Sequence, residues 1–165
     1  TGLRLLPWTA TFVTVAPLTG ALTDRVGERP LLFAGLTLQG AGMAWMALIA
    51  DTSTTYGQLL GPFLVGGIGV SMAIPSAQNS VMGAVGDDVL GVAAGANSMM
   101  RELGGVFGIA VVVAVFAGAG GFESPAAFVA GFGPAMGVGA GLAAVGALAT
   151  LTLPAHEPVR QLAAA

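Results

Sequence analysis

Two adjacent residues of opposite charge, Arg101 and Glu102, lie within a long apolar stretch of the chain. If a helix begins near Val92, the pair lies ~14 Å along it at 1.5 Å per residue. Ionisable side chains at such a depth in a membrane are costly and usually face the bundle interior. Glu102 could then work as a gate or proton-coupled site, or the two could form a structural pair. Alternatively the helix begins later and the pair lies in the interface beside Asp87 and Asp88.

Three amide side chains could contact a ligand. Gln78 and Asn79 lie ~9 Å from the end of the preceding apolar stretch. They could bind a substrate or line a vestibule, or they could hydrogen-bond neighbouring helices. Asn97 precedes Arg101 by one helical turn and could orient it. No zinc-protease, catalytic-triad, Walker or dinucleotide motif accompanies them, and cysteine is absent, so we expect no enzyme activity, cofactor or metal.

The elements that position these residues must suit a membrane. The chain has 165 residues, of which 55% are hydrophobic and only 8% are charged. Soluble domains carry about 25% charged residues, so too few polar side chains are present to cover a water-facing surface. A net charge of −3 with no basic run gives no reason to expect a nucleic-acid partner. The composition predicts an all-α integral membrane protein.

Apolar stretches of about 20 residues, the length that crosses a bilayer, recur five times. Connectors between successive spans alternate between the two sides of the membrane. Arg25, Arg29 and Arg160 fall on one side, which the positive-inside rule makes cytoplasmic, whereas Arg4 counts against this orientation. Residue 1 is then outside and the tail is cytoplasmic. The predicted spans are 3–22, 31–50, 59–85, 92–117 and 132–153, followed by the tail over 154–165.

Small residues at four-residue spacing could bring such spans together, because helices in lipid associate through close backbone packing. Glycines recur in this way on the fourth and fifth spans, although 27 glycines make chance pairs common. The group that directly follows the charged pair is predicted to form a helix-packing face. It consists of Gly104, Gly105 and Gly108.

The charges of the chain concentrate in GALTDRVGER, residues 20–29, between the first two spans. Gly20 allows close helix approach, and Gly27 permits a tight turn. Asp24 can accept hydrogen bonds where the chain leaves the membrane. Arg25 and Arg29 supply forked donors for the anionic leaflet or a neighbouring acid.

This segment resembles the cytoplasmic signature loop of the major facilitator superfamily, Gly-x-x-x-Asp-Arg-x-Gly-Arg-Arg/Lys, and departs from it at Glu28. GLRLLP and NSMMRELGGVFGIAVV look like the fourteen-helix drug:proton antiporter branch, the EmrB/QacA-like exporters. The resemblance implies that residues 1–153 form about five helices of the C-terminal six-helix bundle, a partial C-terminal transmembrane domain. The first and fourth spans would line the interface between the halves and the third the central cavity, while the second and fifth would face lipid.

The resemblance also implies a function, namely proton-coupled efflux of drug-like or amphipathic molecules across the plasma membrane by alternating access. The implied partners are the lipid bilayer, protons, a small-molecule substrate and the N-terminal half of the same transporter. Asp24 and Arg25 would latch the cytoplasmic face in the outward-open state. Two alternatives stay open: a uniporter or importer of a sugar or metabolite, and a non-transporting membrane scaffold or integral enzyme subunit.

Overall fold

The computed structural model describes residues 14–15, 19, 22–23 and 26–153. Across these residues the regular structure is helical, and four helices are long and apolar enough to cross a membrane. The prediction of an all-α membrane fold is confirmed. Most of the first predicted span and the tail over 154–165 lie outside the described residues. The four helices are α1 (Glu28–Ile49), α2 (Tyr56–Met82), α3 (Leu90–Ala119) and α4 (Pro125–Thr150).

The helix ends follow from local sequence. Gly27 precedes α1 with a φ of 89°, a conformation that favours glycine, and its N–H donates to the Thr23 carbonyl. Ser124 precedes α4, where its Oγ accepts a hydrogen bond from the Ala127 N–H at 3.1 Å. Pro125 follows it at the first helical position, which suits proline. Because of this start, α4 begins at Pro125 rather than near residue 132, and the connector after α3 is shorter than the Gly-rich segment 118–131.

Helices α1 and α2 meet along a glycine seam in which backbone touches backbone. A Cβ built on Gly35 would lie 2.8 Å from the Ala73 nitrogen and from the Gly69 carbonyl oxygen. A Cβ on Gly42 would lie 2.8 Å from the Pro62 carbonyl oxygen. Contacts this close leave no room for a side chain. Glycine at these positions therefore allows the two helix backbones to approach to this distance. We call these contacts the α1–α2 seam.

Helix α1 also packs against α4, so it lies between α2 and α4. Gly40 faces Ala143, at 3.3 Å from an added Cβ to the alanine Cβ, and Gly139 leaves room for the Met43 side chain. Helix α3 packs on α4 and touches α2 more sparsely. The four described helices therefore form a ring in the order α1, α2, α3, α4.

Helix α3 differs from the other three because none of its residues is buried. A Cβ on Gly91, Gly95, Gly104, Gly105 or Gly108 would have no described atom within 4 Å. The predicted packing of Gly104, Gly105 and Gly108 is thus not made by any described helix. It stays a prediction for a partner outside the described residues.

Candidate functional site

A cavity of about 620 Å³ opens between the four helices at the end of the bundle that contains Arg29. All four helices contribute to its walls, and most of the lining side chains are apolar. We call it the inner cavity. Its lining residues are Leu32, Leu36, Gln39, Val70, Ala73, Ile74, Ala77, Gln78, Asn97, Met100, Arg101, Gly146, Ala149, Thr150 and Leu153.

Besides Thr150, whose hydroxyl donates to the Ala147 carbonyl, four polar side chains converge on the inner cavity: Gln39 from α1, Gln78 from α2, and Asn97 and Arg101 from α3. Within the described part of the chain, the three amides have no hydrogen-bond partner, so their donors and acceptors are available to a ligand or to water. Apolar walls with a few unpaired polar groups are typical of small-molecule sites. The arrangement suits an amphipathic molecule that has hydrogen-bonding groups.

The charged pair on α3 is intact, and both of its side chains are largely exposed. Arg101 Nη2 donates to Glu102 Oε1 at 3.1 Å, and the two side chains are 54% and 75% exposed. Helix α3 begins at Leu90, and the eleven residue steps from 90 to 101 place the pair ~16 Å along it. The alternative in which the helix begins later is therefore wrong. Arg101 lines the inner cavity, whereas Glu102 does not.

The structure separates two amides that are neighbours in the sequence. Both side chains are exposed, but Gln78 lines the inner cavity and Asn79 lies outside its walls, so the two do not form one group. Asn97 and Arg101 both line the cavity, yet no hydrogen bond joins them in the described part of the chain, where the Arg101 side chain donates to Glu102. The orienting role of Asn97 therefore stays a prediction.

The signature loop is described only in part: Gly20, Asp24 and Arg25 lie outside the described residues. Arg29 Nη2 donates to the carbonyl oxygen of Leu151, just after the last turn of α4, at 2.7 Å. Carbonyls at a helix C-terminus lack partners within the helix and carry partial negative charge, so a guanidinium stabilises them. This bond ties the start of α1 to the end of α4 beside the inner cavity.

Sequence reasoning did not assign Gln39 to the site. It is the only strongly polar side chain within the second predicted span, which was expected to face lipid. In the structure it is half-buried and lines the inner cavity. A single amide on an otherwise apolar helix is a signal for an inward position, because an unpaired amide in lipid is costly.

Comparison with known proteins agrees with this architecture. The family model of the Major Facilitator Superfamily matches residues 3–164. The chain is 32% identical over 155 residues to the cephamycin export protein CmcT of Amycolatopsis lactamdurans, covering 93% of this chain and 29% of that protein. It is 33% identical over 117 residues to the multidrug resistance protein Stp of Mycobacterium tuberculosis, covering 71% of this chain and 21% of that protein.

The chain thus spans less than a third of the length of each of these relatives. Its match to the family model nevertheless extends over almost all its residues, and its four long apolar helices fit a fragment of that fold. The chain is a multi-pass membrane protein that belongs to the Major Facilitator Superfamily, a family of transporters.

Proposed function

We propose that this chain is the C-terminal part of a proton-coupled exporter of amphipathic, drug-like molecules. Family membership and the export or resistance functions named for two relatives support this proposal. The observation that carries it is the inner cavity, where the unpaired amides of Gln39, Gln78 and Asn97 converge between apolar walls. The substrate would cross by rocking of two helical halves around a midplane site.

The lack of buried residues on α3 supports the presence of a second half of the transporter that packs against it. A membrane helix with no buried residue either faces lipid on all sides or packs against something outside the bundle. The exposed Arg101–Glu102 pair makes complete exposure to lipid costly, since ionisable groups in hydrocarbon are unfavourable. In this proposal α3 faces the N-terminal half of the transporter. It corresponds to the fourth predicted span, which was expected to line the interface between the halves.

Proton coupling is assigned to Glu102 as part of the same proposal. Its carboxylate is paired with Arg101 but stays largely exposed on the α3 surface, so protons can reach it when the two halves separate. Protonation would release Arg101, which lines the inner cavity. The Glu102→Gln variant of the full-length transporter in proteoliposomes should lose substrate-dependent proton movement. Unchanged proton movement would remove Glu102 from the coupling mechanism.

The binding role of the inner cavity is tested by two neighbouring amides. Gln78→Ala should raise the KM for export about three- to tenfold, as expected for one lost hydrogen bond. Asn79→Ala is the matched control because Asn79 lies outside the cavity walls, and its KM should stay unchanged. Equal effects of both substitutions would exclude the inner cavity as the binding site.

Orientation and the latch also belong to this proposal. Arg29 and the end of α4 lie at the same end of the bundle, which supports a common side for the signature loop and the tail. We assign this side to the cytoplasmic face of the plasma membrane, with residue 1 outside.

Asp24→Asn in the full-length protein should slow turnover if Asp24 and Arg25 latch the cytoplasmic face. Unchanged turnover would exclude the latch.

A further inference from the structure

A second cavity, of about 650 Å³, lies at the opposite end of the bundle, where α3 and α4 are joined. It is an open groove between these two helices, and the connector of residues 120–124 forms its rim. We call it the hairpin groove. Its lining residues are Val112, Val113, Phe116, Ala117, Gly120, Gly121, Phe122, Glu123, Phe128, Phe132, Ala135 and Met136.

Four phenylalanine rings form the apolar wall of the hairpin groove. The Phe116 ring centroid lies 5.0 Å from that of Phe122 and 5.4 Å from that of Phe128, and Phe128 and Phe132 are 5.8 Å apart. These are favourable aromatic pair distances. Gly131 fixes the arrangement, because a Cβ there would lie 2.7 Å from the Phe116 carbonyl oxygen. The wall is therefore a preformed surface.

Among the described residues, Glu123 is the only ionisable one that lines the hairpin groove. Gly121 leaves the space in which its carboxylate lies, since a Cβ on Gly121 would collide with the carboxylate oxygens. Within the described ranges, Glu123 forms no hydrogen bond or ion pair, and the two connectors at this end contain no basic residue. The groove thus offers a carboxylate without a counter-charge at the rim of an aromatic surface.

The position of the hairpin indicates what approaches this carboxylate. Phe122 is 83% exposed at the rim, and an exposed apolar ring at the end of a membrane helix is stabilised by leaving water for the bilayer. From Phe128 to Met136 the groove follows α4 over eight residue steps, ~12 Å, which is a length suited to part of an acyl chain.

We propose that the hairpin groove binds a phospholipid with a primary ammonium headgroup, such as phosphatidylethanolamine. The ammonium donates hydrogen bonds to the Glu123 carboxylate, and an acyl chain lies along the phenylalanine rings. A headgroup with a net negative charge would be repelled by Glu123, because no basic side chain of the described connectors is present to offset it. The inference depends on membrane embedding and not on the proposed export function.

Native mass spectrometry of the full-length transporter would test this proposal. The purified protein is supplied with equal amounts of phosphatidylethanolamine, phosphatidylcholine and phosphatidylglycerol that carry the same acyl chains. We expect phosphatidylethanolamine to be retained preferentially and Glu123→Gln to reduce that preference about tenfold. Gly121→Ala should reduce it as well, because the added Cβ displaces the carboxylate while the backbone keeps its conformation.

Asp51→Asn is the matched control, because Asp51 lies in the other connector at this end and accepts hydrogen bonds from its own loop. It should leave the lipid preference unchanged, and thermal unfolding would show that all three variants remain folded. Equal retention of the three lipids, an unchanged preference in Glu123→Gln, or an equal loss in Asp51→Asn would overturn the proposal. So would the absence of any retained lipid, since the groove would then be covered by another part of the transporter.

Discussion

The α1–α2 seam and the outer surface of α3 are both rich in glycine, but they serve opposite purposes. At the seam, Gly35 and Gly69 bring two backbones into contact. On α3, glycines such as Gly104 and Gly108 meet no described atom within 4 Å, and no residue of the helix is buried. Glycine spacing along one helix therefore does not identify a contact, because the contact also requires a complementary surface. The seam holds a fixed pair of helices together, whereas α3 presents the surface that we propose contacts the partner half.

The largest effect is expected from filling the seam. In Gly69→Ala the new Cβ would collide with the Gln39 nitrogen and the Gly35 carbonyl oxygen, both backbone atoms that cannot move without separating the helices. We expect a loss of about 1–3 kcal/mol of stability, measured as a lower thermal unfolding midpoint of the purified full-length protein. Gly66→Ala is the control on the same helix, because its Cβ has open space. An equal loss in both variants would contradict the seam.

The second prediction concerns the α3 surface. Gly104→Leu should leave the described bundle intact, since nothing described lies near its Cβ, but should lower transport by the full-length protein roughly tenfold by separating α3 from its partner half. Gly137→Leu provides the comparison on α4, where the Cβ also has open space and the surface is predicted to face lipid. Transport assays with both variants check this, and full activity in Gly104→Leu would rule out a partner on this surface.

A smaller effect should follow from removing the hydrogen bond that joins the start of α1 to the end of α4. Arg29→Ala removes the hydrogen bond to the Leu151 carbonyl and should cost about 1 kcal/mol, which thermal unfolding would show as a modest decrease in midpoint. Arg29→Lys keeps a cation near the end of α4 and should retain part of the stability. If Arg29→Ala unfolds at the wild-type temperature, the hydrogen bond contributes nothing to stability, and of these two features only the α1–α2 seam stabilises the bundle.

The smallest effect is expected in the connector that joins α1 to α2. The backbone N–H of Ser53 and the hydroxyl of Thr52 donate to the Asp51 carboxylate and hold its pKa below the ordinary value. The stabilisation is complete above the ordinary aspartate pKa of about 3.9 and is lost as pH falls through the lowered pKa. Unfolding midpoints measured along an acid titration should show this loss in the wild type and not in Asp51→Asn. If the unfolding midpoints of the two proteins change with pH in the same way, this prediction is wrong.

The sequence was sufficient for the features that depend on composition and length. Helices α1 to α4 were predicted because a polypeptide in lipid must satisfy its backbone internally over about 20 apolar residues. The convergence of Gln78, Asn97 and Arg101 on one cavity was not predicted, because it depends on how the helices are rotated about their axes. The sequence could not determine those rotations, which depend on pairwise packing.

The same limit applies to individual residues. Gly104, Gly105 and Gly108 were selected from their spacing along one helix, whereas the contacts at Gly35 and Gly42 depend on which residues of α2 lie opposite. Asn79 was grouped with Gln78 because they are adjacent, although neighbouring residues on a helix point about 100° apart. The four phenylalanines of the hairpin groove come from both sides of a connector, so no periodic pattern joined them.

The position of α1 between α2 and α4 has a consequence for biosynthesis. A ribosome releases α1 first of the four helices, and α2 can join it at once through the short connector. The surface that later receives α4, including Gly40 and Met43, has to wait until about a hundred further residues have been translated and inserted. During that interval the surface lacks its α4 contacts, and the ring of four described helices closes only when α4 arrives.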